Sequence, residues 1–251
     1  MIPKVIHYCW FGGKPLPKMA LKCIESWKKY FPDYEIKQWN EANFDVNIIP
    51  YTSEAYKAKK YAFVSDYARF WLLYNYGGVY FDTDVEVIKN MDDIIAKGAF
   101  MGCERDASVN VGDMGDMLVA PGLGLAANPG LGLYKEMLNV YKELHFVNPN
   151  GSYNQKTIVA YTTEVLLKHG LKQMSGIQEC DGVWIYPTEY FCPLNFYTEE
   201  LKLTDNTRSI HWYTASWITS SQLLYKKIEH IVGKRIAHFL SRTLKRWGVF
   251  R

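Results

Sequence analysis

The stretch Tyr61–Ile88, YAFVSDYARFWLLYNYGGVYFDTDVEVI, constrains the fold of this chain more than any other. Small and apolar residues recur at helical spacing through its first half, and Gly77-Gly78 supplies the backbone freedom at which helices commonly end. The run Val79–Phe81 then favours a short β-strand that leads directly to Asp82 and Asp84. Because side chains alternate along an extended segment, we expect both carboxylates to project from the same side.

Asp82 and Asp84 predict a metal site at the end of this strand. Two carboxylates directed at one point repel each other unless a cation lies between them, and oxygen ligands suit Mg2+ or Mn2+. On the preceding helix, Ser65, Asp66 and Arg69 are spaced to share one face, and such charges are costly to bury without a partner or a function. The alternative is an exposed turn whose acids face water, beside a surface Asp66–Arg69 ion pair.

Composition limits the class of protein. A chain of 251 residues with 48% hydrophobic content can bury the core of one large domain or two small ones. Its five cysteines are odd in number, scattered and without C-x-x-C spacing, which predicts reduced thiols in the cytoplasm rather than disulfides or a zinc site. The apolar run at the N-terminus is too short for a signal peptide, and no segment is long enough to span a bilayer.

The order of elements in the N-terminal region predicts an α/β fold. A strand over Lys4–Phe11 ends in Gly12-Gly13, a helix follows over Pro17–Phe31, and a second strand covers Tyr34–Trp39. Such an order favours parallel strands with a ligand crevice at their carboxyl ends. We therefore expect the residues that follow these strands to converge with the acid pair on one edge of the sheet, namely Trp10, Gly12, Gly13 and Asn40.

Further along the chain, the sequence predicts loops around one strand between Arg105 and Gly132, and a partly exposed aromatic wall over Trp184–Phe196. Four polar residues in or just before the Arg105–Gly132 segment are candidates for contact with a sugar or acceptor, although they would equally suit a solvated loop. They are Glu104, Asn110, Asp113 and Asp116. A last strand is expected over Arg208–Tyr213, and residues 1–225 contain no repeat or linker, which indicates one domain.

Residues 226–251 differ from the rest of the chain in charge and pattern. They carry eight Lys or Arg side chains against the single acid Glu229, whereas residues 1–225 hold 21 basic and 25 acidic ones. Apolar residues recur in this tail at helical spacing, which predicts an amphipathic helix roughly 33 Å long. It could lie in the plane of an anionic membrane surface, or it could dock on its own domain or a second subunit. Nucleic acid is a poorer partner, because the aromatic side chains of the tail lie on its apolar side and the body is acidic.

The segments IPKVIHYCWFGG, SDYARFWLLYNYGGVYFDTDVEV and HWYTASW together resemble family 32 glycosyltransferases, the group of bacterial capsular-polysaccharide and yeast initiating mannosyltransferases. The resemblance covers the ends and the centre of residues 1–225. It implies a GT-A fold, which is a Rossmann-like nucleotide-sugar-binding domain with a mixed, mainly parallel sheet. It also implies a nucleotide-sugar donor, a divalent cation (Mn2+ or Mg2+) and transfer with retention of anomeric configuration.

The resemblance also assigns roles to single residues. Asp82 and Asp84 match the Asp-x-Asp that binds the cation and the donor, and His211 matches a late histidine that serves as third metal ligand or diphosphate contact. Asp66 and Arg69 match the SDxxR segment, in which the aspartate accepts hydrogen bonds from sugar hydroxyl groups and the arginine balances nearby charge. Two further groups of residues are assigned to the nucleotide. They are Trp10, Gly12, Gly13 and Asn40 beside the base and ribose, and Ser216 and Trp217, which close over the diphosphate.

The resemblance leaves the substrates open. The donor is expected to be a UDP-sugar, with GDP-mannose as the alternative, and a lipid-linked saccharide acceptor agrees with a basic tail and a peripheral position on the inner face of the plasma membrane. No residue identifies itself as a nucleophile, and a Gly-Pro-x-x-x-Thr segment common in the second half of relatives is absent from this sequence. Two other classes of protein remain alternatives. A phosphatase of the haloacid-dehalogenase type also uses D-x-D-x-[TV], but Glu86 stands at the fifth position here, and a non-catalytic carbohydrate- or membrane-binding protein of the same fold would not need intact acids.

Overall fold

The computed structural model describes residues 1–107, 116–196 and 198–214. Its strands are β1 Val5–Cys9, β2 Glu35–Trp39, β3 Gly78–Tyr80, β4 Val85–Val87, β5 Ala99–Arg105, β6 Leu118–Ala127, β7 Gln178–Cys180, β8 Val183–Tyr186 and β9 Ser209–His211. Its helices are α1 Lys18–Tyr30, α2 Pro50–Lys57, α3 Tyr61–Tyr76, α4 Asp92–Lys97, α5 Gly132–Lys142, α6 Ile158–Lys168 and α7 Thr188–Phe191.

A seven-stranded mixed sheet forms the centre of the fold, in the order β2-β1-β3-β6-β5-β8-β7. β1 pairs in parallel with both β2 and β3, and β5 pairs in parallel with β8. β6 runs antiparallel to β3 and β5, and β7 runs antiparallel to β8, so five of the seven strands share one direction. The predicted fold class, α/β with a mixed, mainly parallel sheet, is confirmed, and the β2-β1-β3 unit that ends in Asp-x-Asp agrees with the expected GT-A type.

His7 of β1 fixes the junction between α3 and β3. The Trp39 indole N–H donates to His7 Nδ1 at 3.0 Å, and His7 Nε2 donates to the Gly77 carbonyl oxygen at 3.0 Å. Burial lowers the pKa of His7 to about 4, so the ring is neutral and can serve both neighbours. At Gly78, φ is +98° and a Cβ would lie 2.6 Å from the Val5 carbonyl oxygen, so only glycine allows β3 to approach β1 this closely. His7 is therefore a structural residue of the core.

A second, two-stranded sheet joins two distant parts of the chain. β4 pairs antiparallel with β9, and the register places Val85 opposite His211 and Val87 opposite Ser209. β4 also rests on α1, because the Trp27 indole donates to the Val85 carbonyl oxygen at 2.8 Å and the Val87 amide donates to Ser26 Oγ at 2.9 Å. This pairing brings His211 next to the turn that carries Asp84.

One of two local predictions is wrong. Asp82 and Asp84 do not follow each other along an extended strand, because residues 82–84 form a turn in which the Val85 amide donates to the Asp82 carbonyl oxygen at 3.0 Å. The aromatic wall over 184–196 is partly exposed as predicted, at Trp184, Tyr190 and Phe196, whereas Tyr186 and Phe191 are buried. The Phe191 ring stacks on Phe100 at 5.4 Å, so its side chain contributes to the core instead of a substrate surface.

The chain divides into two compact units. One contains Met1–Pro193 and Lys202–Trp212, and holds both sheets; the other contains Leu194–Leu201 and residues 213–251. In the described part of the second unit, Leu194 and Leu201 form an antiparallel bridge and the Phe196 and Tyr213 rings meet edge to face at 5.1 Å. The predicted boundary at residue 225 and the amphipathic helix over 226–251 lie outside the described residues. Within those residues, no helix has both the length and the apolarity that a membrane span requires.

Candidate active site

Asp82 is held at the carboxyl end of β3 by three neighbours. Arg69 Nη2 donates to its Oδ1 at 3.1 Å, and the Tyr80 hydroxyl donates to the same oxygen at 3.0 Å. Gly122 of β6 lies against the other oxygen: its carbonyl accepts from the Asp82 amide at 3.3 Å, and a Cβ at Gly122 would lie 2.3 Å from Asp82 Oδ2. These contacts fix the orientation of the Asp82 carboxylate, and that orientation requires a residue without a side chain at position 122.

Arg69 shares its charge between two carboxylates. It is 4% exposed, and its Nη2 lies 3.2 Å from Asp66 Oδ1 as well as 3.1 Å from Asp82 Oδ1. The Ser65 carbonyl oxygen accepts from Arg69 Nε at 3.2 Å, and the guanidinium lies 5.2 Å from the centre of the Tyr80 ring. The alternative of a surface Asp66–Arg69 pair is therefore wrong, and both residues lie in the interior as components of the site.

Burial controls the protonation of the two acids beside Arg69. It raises the pKa of Asp66 to about 7, with Arg69 acting in the opposite direction and Asp82 adding to the rise. Burial also raises the pKa of Asp82. The positive charge of Arg69 lowers that pKa, and the negative charge of Asp84 raises it further. One guanidinium cannot fully compensate two buried carboxylates, so Asp66 keeps a proton up to about pH 7 while Arg69 pairs with the charged Asp82.

Asp84 is paired with His211 across the β4–β9 sheet. His211 Nε2 lies 3.1 Å from Asp84 Oδ1, and both side chains are 14% exposed. Burial disfavours the charged imidazole, but the charge of Asp84 and its hydrogen bond outweigh burial, so the pKa of His211 is raised. The charges of Asp82 and Glu104 act in the same direction. The structure thus brings the predicted Asp82, Asp84 and His211 into one electrostatically coupled group.

The charge and chemistry of this group fit a divalent cation. Asp66 and Asp82 share the Arg69 guanidinium, whereas Asp84 pairs with His211, so a cation would balance the charge of Asp84 when His211 is neutral. Carboxylate oxygens with one imidazole nitrogen are donors that Mn2+ accepts. However, no three His, Cys, Asp or Glu side chains within residues 1–107, 116–196 and 198–214 are already grouped to hold a metal ion. Asp84 and His211 instead contact each other, so their role as ligands stays a prediction.

The predicted nucleotide-binding residues lie on two adjacent loops after β1 and β2. The Trp10 amide donates to the Trp39 carbonyl oxygen at 2.8 Å, and the Gly12 amide donates to Glu41, so the loops are joined. Gly12 has φ +91°, and a Cβ there would overlap the Tyr61 ring at 2.3 Å. Gly13 also has positive φ, +67°, but a Cβ there would meet no atom within 4 Å. The expected convergence of these loops at one edge of the sheet is therefore present.

The side chains on these loops already make local contacts. Trp10 is partly exposed, and its indole N–H donates to the Lys14 carbonyl oxygen at 2.6 Å. Asn40 Oδ1 accepts from the Ala42 amide at 2.9 Å, which stabilises the loop itself. Their contact with a base or ribose stays a prediction. Ser216, Trp217, Asn110 and Asp113 lie outside the described residues, whereas Asp116 is described and exposed.

Several contributors to the site were not predicted from the sequence. Tyr80 could have been found, because strand alternation places residue 80 on the same side as residue 82. Gly122 gives no signal, since its role depends on the antiparallel pairing of β6 with β3. Glu86 and Trp212 form a hydrogen bond of 2.8 Å between distant segments, which no local pattern predicts.

Comparison with known proteins relates part of this chain to glycosyltransferases. Residues 17–101 match the family model described as a glycosyltransferase sugar-binding region containing DXD motif. Inositol phosphoceramide mannosyltransferase 1 of Schizosaccharomyces pombe is 31% identical over 111 residues, which is 40% of this chain and 33% of that protein. Uncharacterized glycosyltransferase L373 of Acanthamoeba polyphaga mimivirus is 34% identical over 106 residues, which is 40% of this chain and 42% of that protein. The matched part therefore spans well under half the length of these relatives.

Solved structures with some likeness to this chain include the PaToxG glycosyltransferase, with TM-score 0.48 and 18% identity over 66% of this chain and 69% of that one. Another is the galactosyltransferase LgtC in complex with donor and acceptor sugar analogs, with TM-score 0.40 and 16% identity over 86% of this chain and 90% of that one. The sequence matches carry the relationship: residues 17–101, which contain Asp66, Arg69, Asp82 and Asp84, are similar to the DXD-containing sugar-binding region of glycosyltransferases.

Proposed function

We propose that this chain is a metal-dependent, retaining glycosyltransferase of the family 32 type, which moves a hexose from a nucleotide sugar to a saccharide acceptor. The observation that carries the proposal is the group formed by Asp82, Asp84 and His211 at the carboxyl edge of the parallel β2-β1-β3 unit. Two of its members lie within the region that matches the DXD sugar-binding family. Asp82 is balanced by Arg69, and Asp84 by His211 when the imidazole is protonated, so a cation would take over that charge balance when His211 is neutral.

In this proposal each acid has a separate task. Asp82 and Asp84, with His211, would hold Mn2+ or Mg2+, which when bound supplies charge neutralisation to a departing diphosphate. Arg69 keeps Asp82 ionised and oriented through the contact of 3.1 Å. Asp66, with a pKa near neutrality, can exchange hydrogen bonds with sugar hydroxyl groups as either donor or acceptor.

The remaining contacts concern the nucleotide. Trp10 offers an aromatic face beside the loops of Gly12, Gly13 and Asn40, and Ser216 and Trp217 would close over the diphosphate as the resemblance implies. We favour transfer on one face of the sugar, in which the leaving diphosphate helps to take the acceptor's proton. Isolation of a glycosyl group covalently attached to a side chain would overturn that mechanism.

The donor and the acceptor are separate parts of the proposal. A UDP-hexose is the first candidate, and the mannosyltransferase name of the Schizosaccharomyces pombe relative is consistent with GDP-mannose as the second. A lipid-linked saccharide of a bacterial surface polysaccharide would suit residues 226–251 at the inner, anionic face of the plasma membrane. The competing function is a non-catalytic carbohydrate- or membrane-binding protein of the same fold, which intact Asp66, Arg69, Asp82 and Asp84 argue against.

A donor panel tests the proposed function. Purified protein with Mn2+ should release the free nucleotide slowly from one of UDP-glucose, UDP-galactose, UDP-N-acetylhexosamine or GDP-mannose, even without acceptor. Asp84→Asn should abolish that release and, in calorimetry, the binding of Mn2+, whereas Asp33→Asn, whose side chain is 76% exposed, is the matched control. Absence of both Mn2+ binding and nucleotide-sugar binding would overturn the proposal and favour the non-catalytic alternative.

A further inference from the structure

Glu86 and Trp212 connect the two segments that carry Asp84 and His211. The Trp212 indole N–H donates to Glu86 Oε2 at 2.8 Å, and the Trp212 backbone amide donates to the Asp84 carbonyl oxygen at 2.9 Å. We propose that Glu86 is a positioning residue, which holds His211 beside Asp84 by fixing the next residue, Trp212. This inference rests on the proposed function of the metal site.

The carboxylate of Glu86 is itself held in place. Lys22 Nζ donates to the same Oε2 at 2.7 Å, and it also lies 5.2 Å from the centre of the Trp212 ring. Lys22, Glu86 and Trp212 therefore contact one another pairwise, through an ion pair, a charged hydrogen bond and a cation–π contact. The Glu86 side chain is only 17% exposed, so water competes weakly for its oxygens.

β4, the strand that carries Glu86, is held in place by hydrogen bonds to α1. The backbone on both sides of Glu86 is bound to α1, at the Val85 carbonyl through Trp27 and at the Val87 amide through Ser26. β9 has three residues, as β4 does, and its last member is His211. Short strand ends open readily, so the bond from Trp212 to a fixed acceptor restrains the backbone of His211 where the ladder stops.

The position of this contact distinguishes it from ordinary surface pairing. Groups behind metal ligands set the orientation of those ligands, and their loss typically weakens metal binding by roughly 10- to 100-fold. If Glu86 only formed a surface ion pair with the half-exposed Lys22, removal of the Trp212 N–H would change little. Trp212→Phe separates the two cases, because it keeps an aromatic ring for Lys22 and removes the hydrogen-bond donor, while Trp184→Phe controls for the smaller ring.

The experiment titrates Mn2+ alone into full-length protein and follows the electron paramagnetic resonance signal of the free ion. Trp212→Phe and Glu86→Ala should each weaken Mn2+ binding by roughly 10- to 100-fold. Glu86→Gln keeps an oxygen acceptor for the indole and should recover most of the affinity. Trp184→Phe, the same substitution on β8, is the matched control and should bind Mn2+ as the wild-type protein does. Thermal unfolding of every variant identifies those that fold.

The outcomes separate this inference from the proposed function. Wild-type binding of Mn2+ that is lost in Asp84→Asn but unchanged in Trp212→Phe would overturn the role of Glu86 alone. Absence of Mn2+ binding by the wild-type protein would overturn the proposed function and this inference with it. If Trp212→Phe does not fold, Glu86→Ala decides the question, because it removes the same bond from the other side.

Discussion

Substitution of Gly122 by alanine tests whether the position of Asp82 determines activity. Gly122 belongs to a neighbouring strand and has no functional group, yet an ideal Cβ there would lie 2.3 Å from Asp82 Oδ2 and 3.3 Å from Arg69 Nη1. Ordinary contacts begin at 3.4 Å, so the carboxylate has to move by about 1 Å. The substitution thus displaces a predicted metal ligand without changing any chemical group of the site.

The expected magnitude follows from the contacts that this displacement breaks. A shift of about 1 Å would lengthen the hydrogen bonds of 3.1 Å from Arg69 and 3.0 Å from Tyr80 beyond effective range. Hydrogen bonds to a charged group contribute about 1.5 to 3 kcal/mol each, and misplacement of a reacting group by about 1 Å costs on the order of 100-fold in rate. We therefore expect kcat/KM of Gly122→Ala to fall by about 100-fold.

The assay is Mn2+-dependent release of nucleotide from the preferred donor, with thermal unfolding measured in parallel. Gly132→Ala is the matched control, because a Cβ at Gly132, the first residue of α5, would meet no atom within 4 Å. It should retain wild-type kcat/KM. If folded Gly122→Ala protein kept kcat/KM within twofold of the wild type, the tight packing of β6 against Asp82 would be irrelevant to activity and the reasoning would fail.

Three further predictions concern the same site and the tail. Because burial raises the pKa of Asp66 to about 7 from 3.8, the folded chain keeps a proton that the unfolded chain releases, and this stabilising contribution is lost as pH rises through about 7. Relative to Asp66→Asn, the wild-type free energy of unfolding should fall by about 1.4 kcal/mol per pH unit between roughly pH 4 and 7; parallel profiles in urea titrations would contradict this. Tyr80→Phe removes one donor to Asp82 and should lower kcat/KM by about tenfold, with Tyr153→Phe, an exposed position, as the control. Truncation after Tyr225 should release the protein from vesicles that contain anionic lipid, and unchanged sedimentation with the vesicles would refute a membrane role for residues 226–251.

Several parts of the fold could be predicted because their causes are local. α3 and its end at Gly77 follow from helical spacing and a residue that tolerates positive φ, here +66°. β1, α1 and β2 follow from short apolar runs and the residues between them, with ends that differ from the prediction by one or two residues. The two hydrogen bonds of His7, to Trp39 and Gly77, became visible only in the structure.

The geometry of the site was less predictable, because it depends on pairings between distant segments. Strand alternation is the wrong explanation for the proximity of Asp82 and Asp84, which a turn brings about. The contact of Asp84 with His211 depends on β4 pairing with a strand more than a hundred residues later. Gly122 contacts Asp82 only because β6 pairs with β3, and no local pattern in the sequence indicates that pairing.

The sequence by itself determined the kinds of chemical group present and their local order: an acid pair after an apolar strand, and an SDxxR helix before it. These are properties of neighbouring residues, and spacing and propensity are sufficient to read them. Only the tertiary structure decided that Arg69 is buried and divided between Asp66 and Asp82, and that Asp84 meets His211. The physical reason is that burial and charge compensation depend on every element that surrounds a group, whereas a sequence pattern contains only the neighbours along the chain.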